Sequence, residues 1–403
     1  STGMPKGVMI EHQGIVNNIY YKFEILDLTE DSVISHTSKL HFVGGIWQIW
    51  APLVTGGKLV LNTLEEIQNI ALILDNLEKE QVEVLEVIPS QLNNVFVIGK
   101  ESKLKTLKKL ILTGELLSEK YVNNFFDINP EIEIINTYGQ TECSDVTTYY
   151  QMTEKIDDKI LVGQPIRNMQ NYVLDNKDSL VPKGVIGQVC TSGIGVSRGY
   201  INQEYLTAQS FVDHPYRSDS KLYKTGDLGR VLPNGMIELF GRKDNQVKVR
   251  GYRIDTGEIE NAFLENDAIE NSIVLTKLNS SEELELVAFI VSQKEQNVQG
   301  LRTFLKHFLP DYMLPTSIVQ LDEFPMLPNG KVNRKVLLTL EQEEIVTGQE
   351  YIAPQTEIEK ILVVIWERIL GRQSIGINDD FFALGGHSIK AVKITFEIKK
   401  EFE

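Results

Sequence analysis

Ile132-Glu133-Ile134-Ile135-Asn136-Thr137-Tyr138-Gly139-Gln140-Thr141-Glu142 couples a short β-rich run to a polar, glycine-containing stretch that reads as a loop. Similar β-rich runs stand at 58–61, 82–85 and 109–112, and the segments 64–79 and 118–126 between them carry helical patterns. Strands alternating with helices predict an α/β sheet layered by helices, and loops that follow the strands of such a sheet are where ligands bind. Past Ile160 the sequence turns β-rich and glycine-punctuated, with strands expected at 172–174, 187–191 and 236–240. A core over 1–243 is expected, then a smaller α+β unit over 244–340 and a polar, acidic linker over 341–354. A helix–loop–helix follows over 355–403. There Ile358, Ile361, Leu362, Ile365, Trp366 and Ile369 share one helical face. The chain starts at Ser1-Thr2-Gly3, without methionine and inside a motif, so both ends are expected to be cut.

Composition narrows the function classes. The formal net charge is −16, whereas duplex binding needs a basic surface that displaces counterions, so no nucleic-acid partner is expected. No apolar run approaches the roughly 20 residues of a membrane span, and no membrane partner is expected either. Cys143 and Cys190 stand far apart without metal-ligand spacing. That usage suits a reduced, cytoplasmic compartment.

Six motifs carry candidate chemistry. Ser1-Thr2-Gly3-Met4-Pro5-Lys6-Gly7-Val8 combines hydroxyls, glycines and one lysine, which can present N–H groups and a charge to phosphates. It lacks Walker spacing, and small-residue turns beside a lysine are common. In 136–142, Thr141 can hydrogen-bond a phosphate oxygen and Glu142 can hold magnesium; a polar surface turn is the plainer alternative. Tyr223-Lys224-Thr225-Gly226-Asp227-Leu228 sets a carboxylate in a tight turn, free to accept two ribose hydroxyls or to bond its own backbone. From Gly241 to Ile254, Val247 and Val249 alternate with Lys248 and Arg250, the pattern of a half-buried strand. Leu327-Pro328-Asn329-Gly330-Lys331 places a lysine after an Asn-Gly turn. Leu384-Gly385-Gly386-His387-Ser388 opens an amphipathic stretch with Ile389, Val392 and Phe396. Its serine is either a helix N-cap or the attachment point of a phosphopantetheine arm.

In this order, with Gly187-Gln188-Val189 and Ser197-Arg198-Gly199-Tyr200 among them, the motifs resemble the adenylation domains of nonribosomal peptide synthetases, within the adenylate-forming enzymes. The resemblance runs from Ser1 to Arg334. The block Asp379-Asp380-Phe381-Phe382-Ala383-Leu384-Gly385-Gly386-His387-Ser388 is similar to their peptidyl carrier domains. The fold implied is a truncated adenylation core of layered sheets and helices, a small α+β C-terminal lobe and a partial α-helical carrier. The chemistry implied is activation of a small carboxylic acid with ATP and Mg2+ as acyl-AMP, then loading as a thioester on phosphopantetheine at Ser388. Implied partners are a phosphopantetheinyl transferase with CoA and neighbouring condensation or other synthetase domains.

The same resemblance assigns residues. Ser1, Thr2, Gly3, Lys6 and Gly7 would handle the outer phosphates of ATP. Asn136 and Tyr138 would flank the adenine, with Gly139 beside them in the nucleotide site. Thr141 would contact the α-phosphate and Glu142 the magnesium; Asp227 and Arg242 would hold the ribose. Lys331 would bridge the substrate carboxylate and the α-phosphate, on a lobe that turns about Asp244. The acyl pocket would comprise Val43, Gly44, Trp47, Val87, Ile111, Thr113, Thr137, Asp145 and Val146.

Two departures from the pattern stand out. Relatives that activate amino acids carry, at the position of Val43, an aspartate that pairs with the substrate ammonium. A buried ammonium without a counter-charge is costly, so an α-keto or α-hydroxy acid is expected. The alternative is an amino acid whose ammonium pairs with Asp145. Leu239 stands where relatives often place an aromatic under the adenine. Rival readings are a stand-alone acyl- or aryl-CoA ligase, against which the fused carrier argues, and a non-catalytic carrier or scaffold segment.

Overall fold

The structure, a computed structural model, describes residues 6–402 apart from 98, 116, 158, 219, 280–283, 328–331, 341–350, 372, 382, 383, 385 and 387. At 93, 94, 97, 388, 389 and 392 it describes the backbone only. The backbone divides between Asp244 and Asn245 into two compact units.

The larger unit holds two sheets. The first consists of β1 (Val33–His36), β2 (Lys58–Leu61), β3 (Val84–Val87), β4 (Lys109–Thr113), β5 (Glu133–Gln140), β6 (Asp145–Met152) and β7 (Gln164–Pro165), in the order β2-β1-β3-β4-β5-β6-β7. The first five are parallel, and β6 and β7 are antiparallel additions at the edge. Helix α1 (His12–Leu26) precedes β1. The parallel crossovers use α2 (Val43–Thr55), α3 (Leu64–Gln68), α4 (Ile70–Glu80), α5 (Pro89–Val97) and α6 (Glu119–Ile128).

The four strands expected first all lie in this sheet, but β5 runs on to Gln140. Asn136 to Gly139, expected in a loop, are therefore strand residues whose backbone groups are satisfied by β6. The helix expected over 64–79 is two helices. Asn69 adopts an extended conformation and its Oδ1 accepts the Ala71 N–H at 3.1 Å, restarting the helix. Every residue of β3 is buried, as befits a parallel strand covered on both faces. That burial takes Glu86 inside along with Leu85 and Val87. Trp47 and Ala51 of α2 pack with Ile19 and Ile25 of α1 and with Ile111 and Ile135 of the sheet.

The second sheet contains β8 (Met169–Leu174), β9 (Gly187–Gly193), β10 (Phe211–Asp213), β11 (Lys221–Val231) and β12 (Ile237–Arg242), ordered β10-β11-β9-β8 with β12 on β11. Short α7 (Glu204–Ser210) leads into β10. The motif at 223–228, expected as a tight turn, is instead an irregular stretch inside β11. Its pairing with β9 shifts between Lys224 and Leu228, and Gly226 takes a φ of 82° there.

In the smaller unit, β13 (Gln246–Val249) and β14 (Tyr252–Asp255) form a hairpin turned at Arg250 and Gly251, both with positive φ. Val249 is buried with Val247 packed beside it, as the alternation predicts. A separate sheet of β15 (Asn271–Leu278), β16 (Leu284–Val291) and β17 (Ser317–Leu321) is accompanied by α8 (Thr256–Leu264), α9 (Val298–Leu305) and α10 (Arg334–Thr339). Further along, α11 (Glu357–Leu370) starts with a Thr356–Glu359 capping box. Leu370, Ile375 and Leu384 then form a small core against Trp366 and Phe381, and α12 (Ser388–Phe402) follows. On the face expected for α11, Ile365 is buried while Ile358 is exposed.

A Cβ on Gly139 would lie 1.9 Å from the Asp145 carbonyl oxygen across the β5–β6 pair. Gly139→Ala should therefore lower stability by about 1–3 kcal/mol. Gly300→Ala in α9 meets nothing nearer than 3.9 Å and should be neutral or stabilising by up to about 1 kcal/mol. Urea unfolding followed by circular dichroism separates the two.

Candidate functional site

The irregular stretch of β11 aims Asp227 at β12, where it pairs with Arg242. Arg242 Nη1 donates to Asp227 Oδ1 at 2.7 Å, and Nε and Nη2 donate to the two carboxylate oxygens of Asp244 at 2.7 and 2.8 Å. Nη2 also reaches the Thr225 carbonyl at 3.0 Å. Only a planar guanidinium can serve all three acceptors in this geometry. From β5, the Tyr138 hydroxyl donates to Asp227 Oδ2 at 2.5 Å. Burial, and then the Asp227 charge, keep that phenol well above its ordinary titration range. A Cβ on Gly226 would come 2.3 Å from Arg242 Nη2, so the position requires glycine for space as well as for its backbone angle. Tyr138, Asp227, Arg242 and Asp244 thus form one network.

Glu142 sits in the turn after β5, 5% exposed. The Tyr200 hydroxyl donates to its Oε1 at 2.7 Å, and the Ser197 N–H donates to its carbonyl at 2.9 Å. The same 197–201 segment receives the first motif. Ile201 N–H donates to the Gly7 carbonyl at 2.8 Å, and Met9 N–H to that of Gly199 at 2.9 Å. Lys6 and Gly7 are in this way tied to the Glu142 turn. Thr141 is exposed, and buried Asn136 donates to the Leu161 carbonyl at 2.9 Å. A buried carboxylate in this turn suits magnesium, which takes one or two carboxylates and fills its shell with phosphates and waters. Among the described residues no cluster of three or more His, Cys, Asp or Glu side chains forms a metal cage.

Ser1, Thr2, Gly3 and Lys331 lie outside the described residues, as does the side chain of Ser388. The backbone around Ser388 is informative. Gly386 N–H donates to the Phe381 carbonyl at 2.8 Å, and a Cβ there would be 2.4 Å from that oxygen. Ser388 follows as the first residue of α12.

The expected acyl pocket contains charge. Helix α2 begins at Val43 with no acidic residue in its first turn. Trp47 is 2% exposed, and its indole N–H donates to Glu86 Oε2 at 2.7 Å, as does Gln48 Nε2 at 2.7 Å. Glu86 Oε1 is 3.8 Å from Lys22 Nζ, with side-chain exposures of 3% and 1%. The ammonium lies 4.7 Å from the Trp47 ring centroid. A Cβ on Gly44 would be 3.8 Å from Glu86 Oε2 and 3.9 Å from Asp145 Oδ1. Ser144 and Asp145 both have positive φ, 61° and 97°, a strained pair of the kind that persists where surroundings enforce it. Burial pushes the Asp145 carboxyl up to about 7, with the Lys22 ammonium pulling it down and the Glu86 carboxylate raising it. Ile111 and Val146 share the apolar cluster of Trp47. Val87 and Thr137 are buried, and Val43 and Thr113 are partly so.

Sequence reasoning missed Lys22 and Glu86. Neighbours on a strand face opposite ways, so placing Val87 in the pocket directs attention away from Glu86. For Lys22 the available signal was its spacing with Ile19, Ile25 and Leu26 on the buried face of α1.

Residues 1–201 match the family model of AMP-binding enzymes, and 258–331 match the AMP-binding enzyme C-terminal domain. The chain belongs to the AMP-binding enzyme family. Residues 360–403 match a phosphopantetheine attachment site, completing the adenylation–carrier arrangement of nonribosomal peptide synthetases. Tyrocidine synthase 3 of Brevibacillus parabrevis is 37% identical over 100% of the chain and 6% of its own length. Gramicidin S synthase 2 of Aneurinibacillus migulanus is 39% identical over 99% of the chain and 9% of its length. The chain therefore spans under a tenth of either relative. Among solved structures, holo-PA1221, a synthetase protein with adenylation and carrier domains, shares the fold at a TM-score of 0.83 and 24% identity, covering 100% of this chain and 66% of that one. The four-domain synthetase AB3403, bound to AMP and glycine, aligns at a TM-score of 0.56 and 32% identity over 98% of this chain and 30% of that one. Among the described residues no helix is long and apolar enough to cross a membrane.

The raised Asp145 group makes the stability of the adenylation core depend on pH. Between its ordinary value of 3.8 and about 7, the folded chain holds a proton that the unfolded chain has lost, so stability falls as pH rises through that window. Asp145→Asn should flatten the urea-midpoint profile across the same window.

Proposed function

We propose that the chain activates a carboxylic acid with ATP and transfers the acyl group to a thiol on its own carrier segment, within a larger peptide or depsipeptide synthetase. One observation carries the reading: an AMP-binding core and a phosphopantetheine attachment region occupy a single chain. A user of free CoA needs no tethered carrier. The division into a core over 1–243, a lobe over 244–340, a linker over 341–354 and a carrier over 355–403 is part of the proposal.

In the first half-reaction a carboxylate oxygen bonds to the α-phosphorus of ATP and the bond to the β-phosphate breaks, releasing pyrophosphate. Two anions must approach, so the barrier is largely electrostatic. Lys331 contributes a cation between carboxylate and α-phosphate, and Thr141 donates to the α-phosphate. Magnesium at Glu142 would supply further charge neutralisation. Asp227 accepts from the ribose while Arg242 fixes its orientation. Asn136, Tyr138 and Gly139 border the adenine, and Ser1, Thr2, Gly3, Lys6 and Gly7 hold the outer phosphates. The arm on Ser388 supplies the thiol that takes over the acyl group, with AMP as leaving group and the thiol proton passing to solvent. Between the steps the small lobe turns about Asp244, exchanging Lys331 for the 251–253 segment. A phosphopantetheinyl transferase with CoA loads the arm, and neighbouring synthetase domains consume the thioester.

The substrate is an α-keto or α-hydroxy acid. Val43 opens α2 without a counter-charge, and the positive end of a helix dipole itself disfavours a cation. The nearness of Glu86 and Asp145 to Gly44 favours a second reading, an amino acid paired inside the pocket.

Carboxylate-dependent pyrophosphate exchange by the full-length protein, across amino, keto and hydroxy acids with one side chain, tests both. Exchange with amino acids alone overturns the substrate reading; exchange with none overturns the activation reading. Lys331→Ala should lose on the order of 100-fold in exchange while still gaining mass from CoA and the transferase. Ser388→Ala should show the converse.

A further inference from the structure

Among the described residues, buried Lys22 Nζ makes no hydrogen bond, and the same holds for Glu86 Oε1, Asp145 Oδ2 and the Tyr21 hydroxyl. Buried polar atoms normally find partners, so four without them in one place need an explanation. They belong to one place. Lys22 and Glu86 are 3.8 Å apart, the Tyr21 ring centroid lies 5.6 Å from Lys22 Nζ, and a Cβ on Gly44 would lie 3.8 Å from Glu86 Oε2 and 3.9 Å from Asp145 Oδ1. At 3.8 Å the Lys22–Glu86 contact is an ion pair and too long for a hydrogen bond. The Trp47 and Tyr21 rings, 4.7 and 5.6 Å from Nζ, cushion the cation without using its three donors.

Charge counting selects the missing partner. Glu86 is already matched by Lys22. A substrate ammonium would set a second cation beside the first, where Glu86 is already matched. A second substrate carboxylate would meet Glu86 and Asp145. An uncharged oxygen meets neither objection and finds donors waiting on Lys22 and on Tyr21.

We propose that Lys22 sets the substrate class: its ammonium neutralises Glu86 and donates to the α-keto or α-hydroxyl oxygen of the acid bound beside Gly44. This rests on the acid-activating reading of the core and deepens its substrate assignment.

The test uses the full-length protein and pyrophosphate exchange with the keto, hydroxy and amino acids of one side chain. Wild type should favour the keto or hydroxy acid. Lys22→Met should raise KM for that acid on the order of ten-fold or more, leave kcat nearly unchanged, and shift the ratio toward the amino acid because Glu86 is left unmatched. Lys22→Met/Glu86→Gln removes the pair together, a change buried pairs tolerate better than loss of one partner. It should lose the keto or hydroxy preference without gaining the amino acid, and it keeps the test open should the single variant not fold. If wild type exchanges with no acid or only with amino acids, the underlying reading fails before any variant is made. If wild type behaves as expected but the double variant keeps the wild-type KM values and ratios, or loses activity equally with all three acids, Lys22 is structural and the proposal is overturned.

Discussion

The close approach of Gly139 to the Asp145 carbonyl is the contact around which the site is arranged. It lets β5 and β6 pair through the turn at Thr141–Cys143, with a register shift beside Gly139. Alternation along β5 then divides its side chains. Asn136 and Tyr138 face one side, where Tyr138 reaches Asp227, and Thr137 faces the other. Where β6 begins, the strained Ser144–Asp145 pair carries a carboxyl toward Gly44 and Glu86. One antiparallel pair thereby supplies residues to both the Asp227 network and the pocket under α2. A side chain at position 139 would disturb both at once.

The two clusters treat charge differently. Around Arg242 each guanidinium nitrogen has an oxygen partner, and the guanidinium geometry makes the arrangement rigid. Around Lys22 the charges are balanced, but the hydrogen-bonding capacity is not used up. A fully satisfied network specifies a conformation; a partly satisfied one is high in energy until something completes it. The first behaves as scaffold and the second as a binding surface.

Much of the fold was legible because hydrophobic runs and their spacing are local properties. Four of the five parallel strands, α6 and the Val247/Val249 strand were readable from period alone, whereas β1 (Val33–His36) was not foreseen. What failed depended on partners distant in sequence. β5 continues through Asn136–Gln140 because β6 satisfies its backbone, and no periodicity within 136–140 announces this. The 223–228 segment, rich in turn residues, stays in a strand because β9 and β12 hold it on both sides. In the site, Asp227 and Arg242 were readable as motif members, but their joint contact with Tyr138 and Asp244 was not. Lys22 was passed over for a plainer reason, although its spacing put it on the buried face of α1. A lysine reads as solvated until the carboxylates facing it are known, and those sit on β3 and β6, far along the chain.

Arg242 grips Asp227 with one arm and Asp244 with the other two positions of its fork, and Asp244 is the last residue before the division between compact units. A latch of this kind cannot be released at one end alone. Any backbone rotation that carries the Asp244 carboxylate away must re-aim the guanidinium, and so loosen the carboxylate on β11. Whatever molecule rests on Asp227 would feel that rotation as a change in its own footing.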